Sequence, residues 1–138
     1  MRRKKLAWII ALVSGVIGLT ATTAGSALAW EGTPFGPEFS RDVCSYAAGH
    51  FTWFNRSAEV TGRIVNFCPG RTAFVVFEFF GRDGRFLGER VRDHVGRGRS
   101  FYDFDFDAHW LRGGVHRIEY CVLTNVRRDA ACASRWRP

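Results

Sequence analysis

Four cysteines, set symmetrically about two turn signals, constrain this chain more than any other feature. Cys44 and Cys68 are centred on position 56, the middle of the polar turn Asn55-Arg56-Ser57, and Cys121 and Cys132 are centred between positions 126 and 127, the middle of the last turn. Each pair would therefore sit face to face across its own hairpin, where opposed residues hold their Cβ atoms close enough to bridge with little strain. The expected pairing is Cys44–Cys68 and Cys121–Cys132, with an inter-sheet bridge such as Cys68–Cys121 as the alternative. Each loop contributes about 3 kcal/mol in the chain-entropy model. The gaps contain no Cys-x-x-Cys pair of the kind zinc sites use, so no metal ligand is assigned.

Disulfides need an oxidising compartment, and the N-terminus supplies an address. Arg2, Arg3, Lys4 and Lys5 precede an apolar run from Leu6 to Leu19, and Ala27-Leu28-Ala29 stands before Trp30. That is the layout of a secretory signal peptide, residues 1–29, with the apolar run as its helix. The run is shorter than the roughly 20 apolar residues a spanning helix needs. Contact with a membrane is thus expected only through this segment, if it stays uncut. Cleavage leaves 109 residues, enough for one domain with a core of its own. It also removes both lysines, leaving sixteen arginines against thirteen acidic residues, a net charge of +3. That is ordinary solubility and not the footprint of a nucleic-acid binder. The exclusive use of arginine, scattered over nearly every segment, reads as GC-rich bacterial coding.

Residues 30–42 carry Gly32, Pro34, Gly36 and Pro37 and no periodicity, which predicts an extended N-terminal arm whose aromatics, Trp30, Phe35 and Phe39, tuck back onto the domain at 43–138. From Val43 the text is strand-like: 43–54, 58–67, 71–80, 85–95, 101–107, 115–125 and 130–137. Pro69-Gly70, the Asp83-Gly84 turn and Gly96-Arg97-Gly98 punctuate them. The stretch 71–80 is almost continuously β-branched or aromatic, as expected of a strand buried on both faces or central in its sheet. Residues 101–107 alternate, with Tyr102, Phe104 and Phe106 on one face and Asp103, Asp105 and Asp107 on the other. About seven short strands with regular turn signals predict an all-β, immunoglobulin-like antiparallel β-sandwich, with a small barrel as competitor.

Gly62-Arg-Ile-Val-Asn66, then Phe74-Val-Val-Phe-Glu-Phe-Phe80, then Gly81-Arg-Asp-Gly84 with Phe86-Leu87 resembles the FxLYD-like modules of secreted bacterial proteins. Those modules run as a Gly-x-Val-x-Asn strand, an apolar strand and an aromatic-x-Asp-x-Gly hairpin. Leu111-Arg-Gly-Gly114-Val-His116-Arg-Ile118 looks like the start of a late strand in immunoglobulin-like folds. The resemblance covers about half of the chain after residue 29. It implies the sandwich fold, through turn and packing motifs, and no activity.

Three further constellations bear on chemistry. Asp103, Asp105 and Asp107 suggest calcium ligation, but the run lacks the Gly turn and distal Glu of a calcium loop, and along a strand the carboxylates fan apart. The favoured reading is a cross-strand ion ladder, with Asp103 opposite Arg92 and Asp105 opposite Arg90 if the chain turns at Arg97-Gly98. His50, His94, His109 and His116 lie in no metal-binding spacing, and no Gly-x-Ser-x-Gly elbow is present. No catalytic residue and no cofactor are assigned, although a cleft gathering a histidine with carboxylates would reopen an enzymatic reading. Trp53, Trp110 and Trp136 could form a sugar-stacking platform, with core packing as the favoured alternative. These features predict a secreted, non-catalytic binding or interaction module for an extracellular protein or cell-surface partner. A hydrolase inhibitor with a disulfide-braced loop and a small-ligand carrier with an apolar cleft between its sheets are the alternatives.

Overall fold

A computed structural model describes residues 30–96, 98–109, 111, 114–125 and 130–138. The expected signal segment at 1–29, the turn residue Arg97 and the last turn at 126–129 lie outside the described residues. Eight strands follow in order: β1 (Trp30–Phe39), β2 (Ser45–Trp53), β3 (Ala58–Asn66), β4 (Thr72–Phe80), β5 (Phe86–Val95), β6 (Ser100–Asp107), β7 (Arg117–Thr124) and β8 (Ala131–Trp136). They form two antiparallel sheets of four, ordered β1-β2-β3-β6 and β5-β4-β7-β8. The described residues include no helix.

The strand beyond the seven expected is β1, which runs through the residues expected to form an extended arm. β1 pairs along β2, and Phe35 is buried in the core between the sheets. The lack of periodicity has a local cause. Register shifts interrupt the ladder between Trp30 and Thr33 and between Phe35 and Glu38, the second at the cis Gly36-Pro37 bond. Gly36 has φ of 69°, and a Cβ there would press on the Ala47 carbonyl.

The disulfides are Cys44–Cys68 and Cys121–Cys132, with Cα–Cα distances of 5.2 and 4.1 Å. Cys121 and Cys132 are directly opposed on β7 and β8. The other pair departs from strict opposition. Ser45 faces Asn66, and the Phe67 N–H donates to the Cys44 carbonyl at 2.7 Å, so Cys68 lies one residue past the position opposite Cys44. That bridge clamps the open end of the β2–β3 hairpin.

Strict alternation fixes which residues meet between the sheets. Ala73, Val75, Phe77 and Phe79 of β4 and Ile118, Tyr120 and Val122 of β7 face Ala47, Phe51, Trp53, Ala58, Val60 and Ile64 of β2 and β3. Phe35 stacks on Phe51 with ring centroids 4.7 Å apart and meets Phe77 edge-on at 5.6 Å. Tyr120 lies 5.1 Å from Phe35, and its Oη accepts the Gly36 N–H at 3.2 Å. Two glycines make this possible. Gly49 and Gly62 face each other across β2 and β3, between Phe35 on β1 and Phe104 on β6. A Cβ on Gly62 would lie 2.7 Å from the Ala48 carbonyl oxygen, 2.8 Å from Phe104 Cζ and 2.9 Å from Phe35 Cζ. The rings from the two edge strands thus occupy the space that the glycines leave empty.

Polar pins hold the strand ends. The buried Asn66 amide donates to the carbonyls of Arg71 at 2.7 Å and His94 at 3.2 Å, and its oxygen accepts the Cys68 N–H at 3.1 Å. Arg137 donates to the carbonyls of Val115, Phe54, Asn55 and Ser57, tying the tail after β8 to the β2–β3 turn. Burial pushes its guanidinium pKa down from the ordinary arginine value. Asp42 links the sheets: it accepts from Ser40 Oγ at 2.7 Å, from the Cys44 N–H at 3.2 Å and from the buried Thr124 hydroxyl on β7. Burial alone would raise its pKa. The hydrogen bonds from Ser40, Thr124 and Cys44, with Arg71 at 3.8 Å, outweigh burial and hold it below the ordinary value.

Two outcomes follow for stability. Gly62→Ala lowers the unfolding free energy by about 1–3 kcal/mol, because backbone as well as rings must move; urea unfolding measures it. The Asp42 contribution is complete above the ordinary carboxylate value of 3.8 and is lost as pH falls through the lower folded value. Asp42→Ala therefore costs about 1–3 kcal/mol at pH 7, and its deficit against the wild type narrows in melts taken below that value.

Candidate binding face

β4 carries no alternation in its sequence, yet only one of its faces is covered. Its inward residues are buried, while Thr72, Phe74, Val76, Glu78 and Phe80 point away from the core and are half-buried. Registered neighbours extend the last four of these positions into rows across the sheet. Asp93, Phe74 and Leu123 form one row, and Val91, Val76 and the Cys121–Cys132 bridge form the next. Glu89, Glu78, Glu119 and Ser134 form the third, and Phe86, Phe80, Arg117 and Trp136 the fourth. Apolar rows thus flank a row of three glutamates.

The margins of this face are open. Trp136 is 60% exposed, Phe86 52% and Val91 43%, levels that leave each side chain free to contact a second molecule. Phe86 packs edge-on against Phe80 at 5.9 Å. The Arg117 guanidinium lies 3.8 Å from the centre of the Phe80 ring and 5.3 Å from that of Trp136, and its NH1 meets Glu119 at 3.1 Å. Large rings with a stacked arginine are the side chains that dominate protein-binding surfaces.

The outward face of the other sheet differs. Its three rows nearest the β2–β3 turn are polar: Ala48, Arg63 and Asp103, then His50, Thr61 and Asp105, then Thr52, Glu59 and Asp107. Only its far end is aromatic, where Phe39 and Tyr46 lie 5.4 Å apart, Phe67 lies 5.7 Å from Tyr46, and Arg63 caps Phe101 at 4.0 Å.

The aspartate run corrects the expected ladder. β5 and β6 belong to different sheets, so the chain between them crosses over instead of closing a hairpin. Asp103 faces Arg63 on β3, which grips it through Nε at 2.5 Å and NH2 at 2.9 Å. The hydrogen bonds from Arg63 hold the Asp103 pKa below its ordinary value. Asp105 faces Thr61 and Asp107 faces Glu59. Arg92 instead covers the Phe106 ring at 4.5 Å. One of the three aspartates therefore has a cross-strand cation, and the three carboxylates do not converge. The single grouping of close His, Cys, Asp or Glu ligand atoms among the described residues is Glu119 with Cys121 and Cys132, whose sulfurs are committed to each other.

The three tryptophans do not form a platform. Trp53 is fully buried, with its Nε1–H donating to Thr33 Oγ1 at 2.9 Å; Trp110 lies outside the described residues; Trp136 is exposed. A shallow depression does gather His109 with Asp107 and Glu59, beside Phe54 and Ser57. His109 Nδ1 bonds Asp107, but Ser57 Oγ makes no hydrogen bond to His109, so the relay a serine nucleophile requires is not assembled. The space between the sheets, where a carried ligand would sit, is filled by the Phe35, Phe51, Phe77, Phe104 and Tyr120 rings.

Because the aspartates fan along β6, calcium at micromolar concentration gives no saturable heat in calorimetric titration, and Asp105→Asn leaves the melting temperature unchanged with or without calcium. Comparisons of the chain with protein-family models, with curated proteins and with solved structures return no match.

Proposed function

We propose that the protein is a secreted, non-catalytic binding module that engages an extracellular protein or cell-surface partner through the outward face of β5-β4-β7-β8. The observation that carries this reading is the face itself. Phe74, Val76, Val91, Leu123, Phe80, Phe86 and Trp136 stand outside the core on a four-stranded sheet whose last two strands are joined by a disulfide. Contiguous apolar area of this kind marks an interaction site. The two disulfides accord with an oxidising, extracellular setting.

The immunoglobulin-like reading draws support from the strand order. Hairpins β4–β5 and β7–β8 share one sheet, while β3→β4, β5→β6 and β6→β7 cross between sheets, the Greek-key arrangement of such sandwiches. Gly62 and Asn66, two of the residues that carry the resemblance to FxLYD-like modules, each have a structural role here. The first admits Phe35 and Phe104, and the second pins the β3 end.

The test compares the immobilised wild type with the double variant Phe86→Ser/Val91→Ser and with Asp105→Asn on the opposite sheet. Both positions of the double variant are exposed, so its melting temperature stays within a few degrees of wild type. Retention of a component from the medium or cell surface falls at least about tenfold for the double variant, a loss of 1.4 kcal/mol or more, and is unchanged for Asp105→Asn. Equal retention by all three proteins would overturn the proposal.

A further inference from the structure

We infer that this face takes an extended cationic segment of a partner, with a lysine or arginine seated at Glu78 and Glu89 and apolar side chains two residues to either side. The inference rests on the proposal that the face is the binding surface. Glu89 stands directly opposite Glu78, and Glu78 opposite Glu119. Adjacent strands lie roughly 4.8 Å apart, and like charges directly opposite each other destabilise a sheet. Arg117 meets Glu119. Glu78 and Glu89 meet no cation and no hydrogen-bond donor among the described residues. Two adjacent carboxylates therefore stand without a cation partner between the Val76–Val91 row and the Phe80–Phe86 row, where a partner that covers those apolar side chains must also desolvate them. An apolar partner would leave two buried charges without a counter-ion, which is strongly disfavoured. A cationic one supplies the charge the row lacks.

The spacing specifies more than the sign. Val76, Glu78 and Phe80 follow each other at every second residue of β4, about 6.7 Å apart along the strand. An extended segment presents its own side chains on one face at the same interval. The complementary pattern is apolar, any residue, basic, any residue, apolar. A second copy of this chain does not fit, because a two-fold stack centred on this row sets glutamate against glutamate.

Two synthetic peptides test this, one repeating Leu-Ser-Lys-Ser and the other Leu-Ser-Glu-Ser, each titrated into the protein with amide NMR of Val76, Glu78 and Trp136 as the readout. The lysine peptide binds at least about tenfold more tightly than the glutamate peptide, and added salt weakens it. In Glu78→Gln/Glu89→Gln the preference drops to about twofold or less, and the variant melts no lower than wild type because a repulsion has been removed. Equal affinity of the two peptides for wild type would overturn the cationic assignment while leaving the face as a binding surface. Failure of both peptides to shift face resonances would remove both readings. A glutamine variant that melts lower would make the carboxylates structural. Calcium that raises the melting temperature of wild type alone would give them to a metal, and a concentration-dependent dimer lost in Val91→Ser would give the face to a second copy; each of these outcomes also overturns the inference.

Discussion

The contact between Phe35 and the paired glycines of β2 and β3 is the constraint on which the rest of the sandwich depends. Phe35 comes from an edge strand, yet it reaches the centre of the core and touches Phe51, Phe77 and Tyr120. It can do so because Gly49 and Gly62 put no side chain beneath it. Phe104 arrives from the opposite edge over the same strip. Two edge strands are thereby anchored through single large rings. β1 is retained as part of the domain despite a ladder broken twice. The hydroxyl of Tyr120, bonded to the Gly36 N–H, adds a polar tie across the sheets at the point where that ladder fails.

Around this centre the polar pins sit at the ends of the strands and not on the broad faces. Asn66 closes the end that carries Cys44–Cys68, Arg137 closes the opposite end, and Asp42 joins the β1–β2 connection to β7. Each satisfies backbone carbonyls or hydroxyls that loops would otherwise leave unpaired, and buried groups of that kind cost more when orphaned than they contribute when paired. The pins therefore leave the two outward sheet faces free to differ in character. This separation lets one face be polar, with Asp103 gripped by Arg63, and the other apolar.

Most strand positions could be read from the chain because their signals are local. Turn residues fixed the ends of β2 through β8 to within two residues, and the cysteine spacing selected the pairs that the structure joins. What escaped was everything set by a choice between sheets. Arg92 and Asp103 flank a turn that hairpin logic would close, but the chain crosses there, and Asp103 finds Arg63 forty residues earlier. β1 escaped because Gly32, Pro34, Gly36 and Pro37 suppress the strand signal, and long-range pairing with β2 overrides it. The outward face of β4 was present in the sequence but admitted two explanations. Continuous apolarity at 71–80 fits a strand covered on both sides equally well, and only the two-layer architecture shows that no third layer of described residues packs over Phe74, Val76 and Phe80, beyond the Arg117 guanidinium and the Phe86 ring that meet Phe80.

Under the proposed function, the glutamate row sets the sign of the partner that the face accepts. An exposed apolar sheet face invites self-association, and a charge placed in its middle is a common defence against it. A lysine at position 78 or 89 would serve that purpose at lower cost, since it would neutralise its neighbour across the strands. Glutamate at both positions defends the face and adds repulsion within the sheet. The extra cost has a use only when something cationic relieves it. Under that proposal the same carboxylates, which oppose a two-fold stack of this chain on itself, select which other chain binds. Specificity of this sort comes from rejecting apolar and acidic competitors as much as from attracting the right one. The aromatic margin of Phe86, Phe80 and Trp136, with Arg117 already stacked on it, supplies the area over which that discrimination becomes affinity.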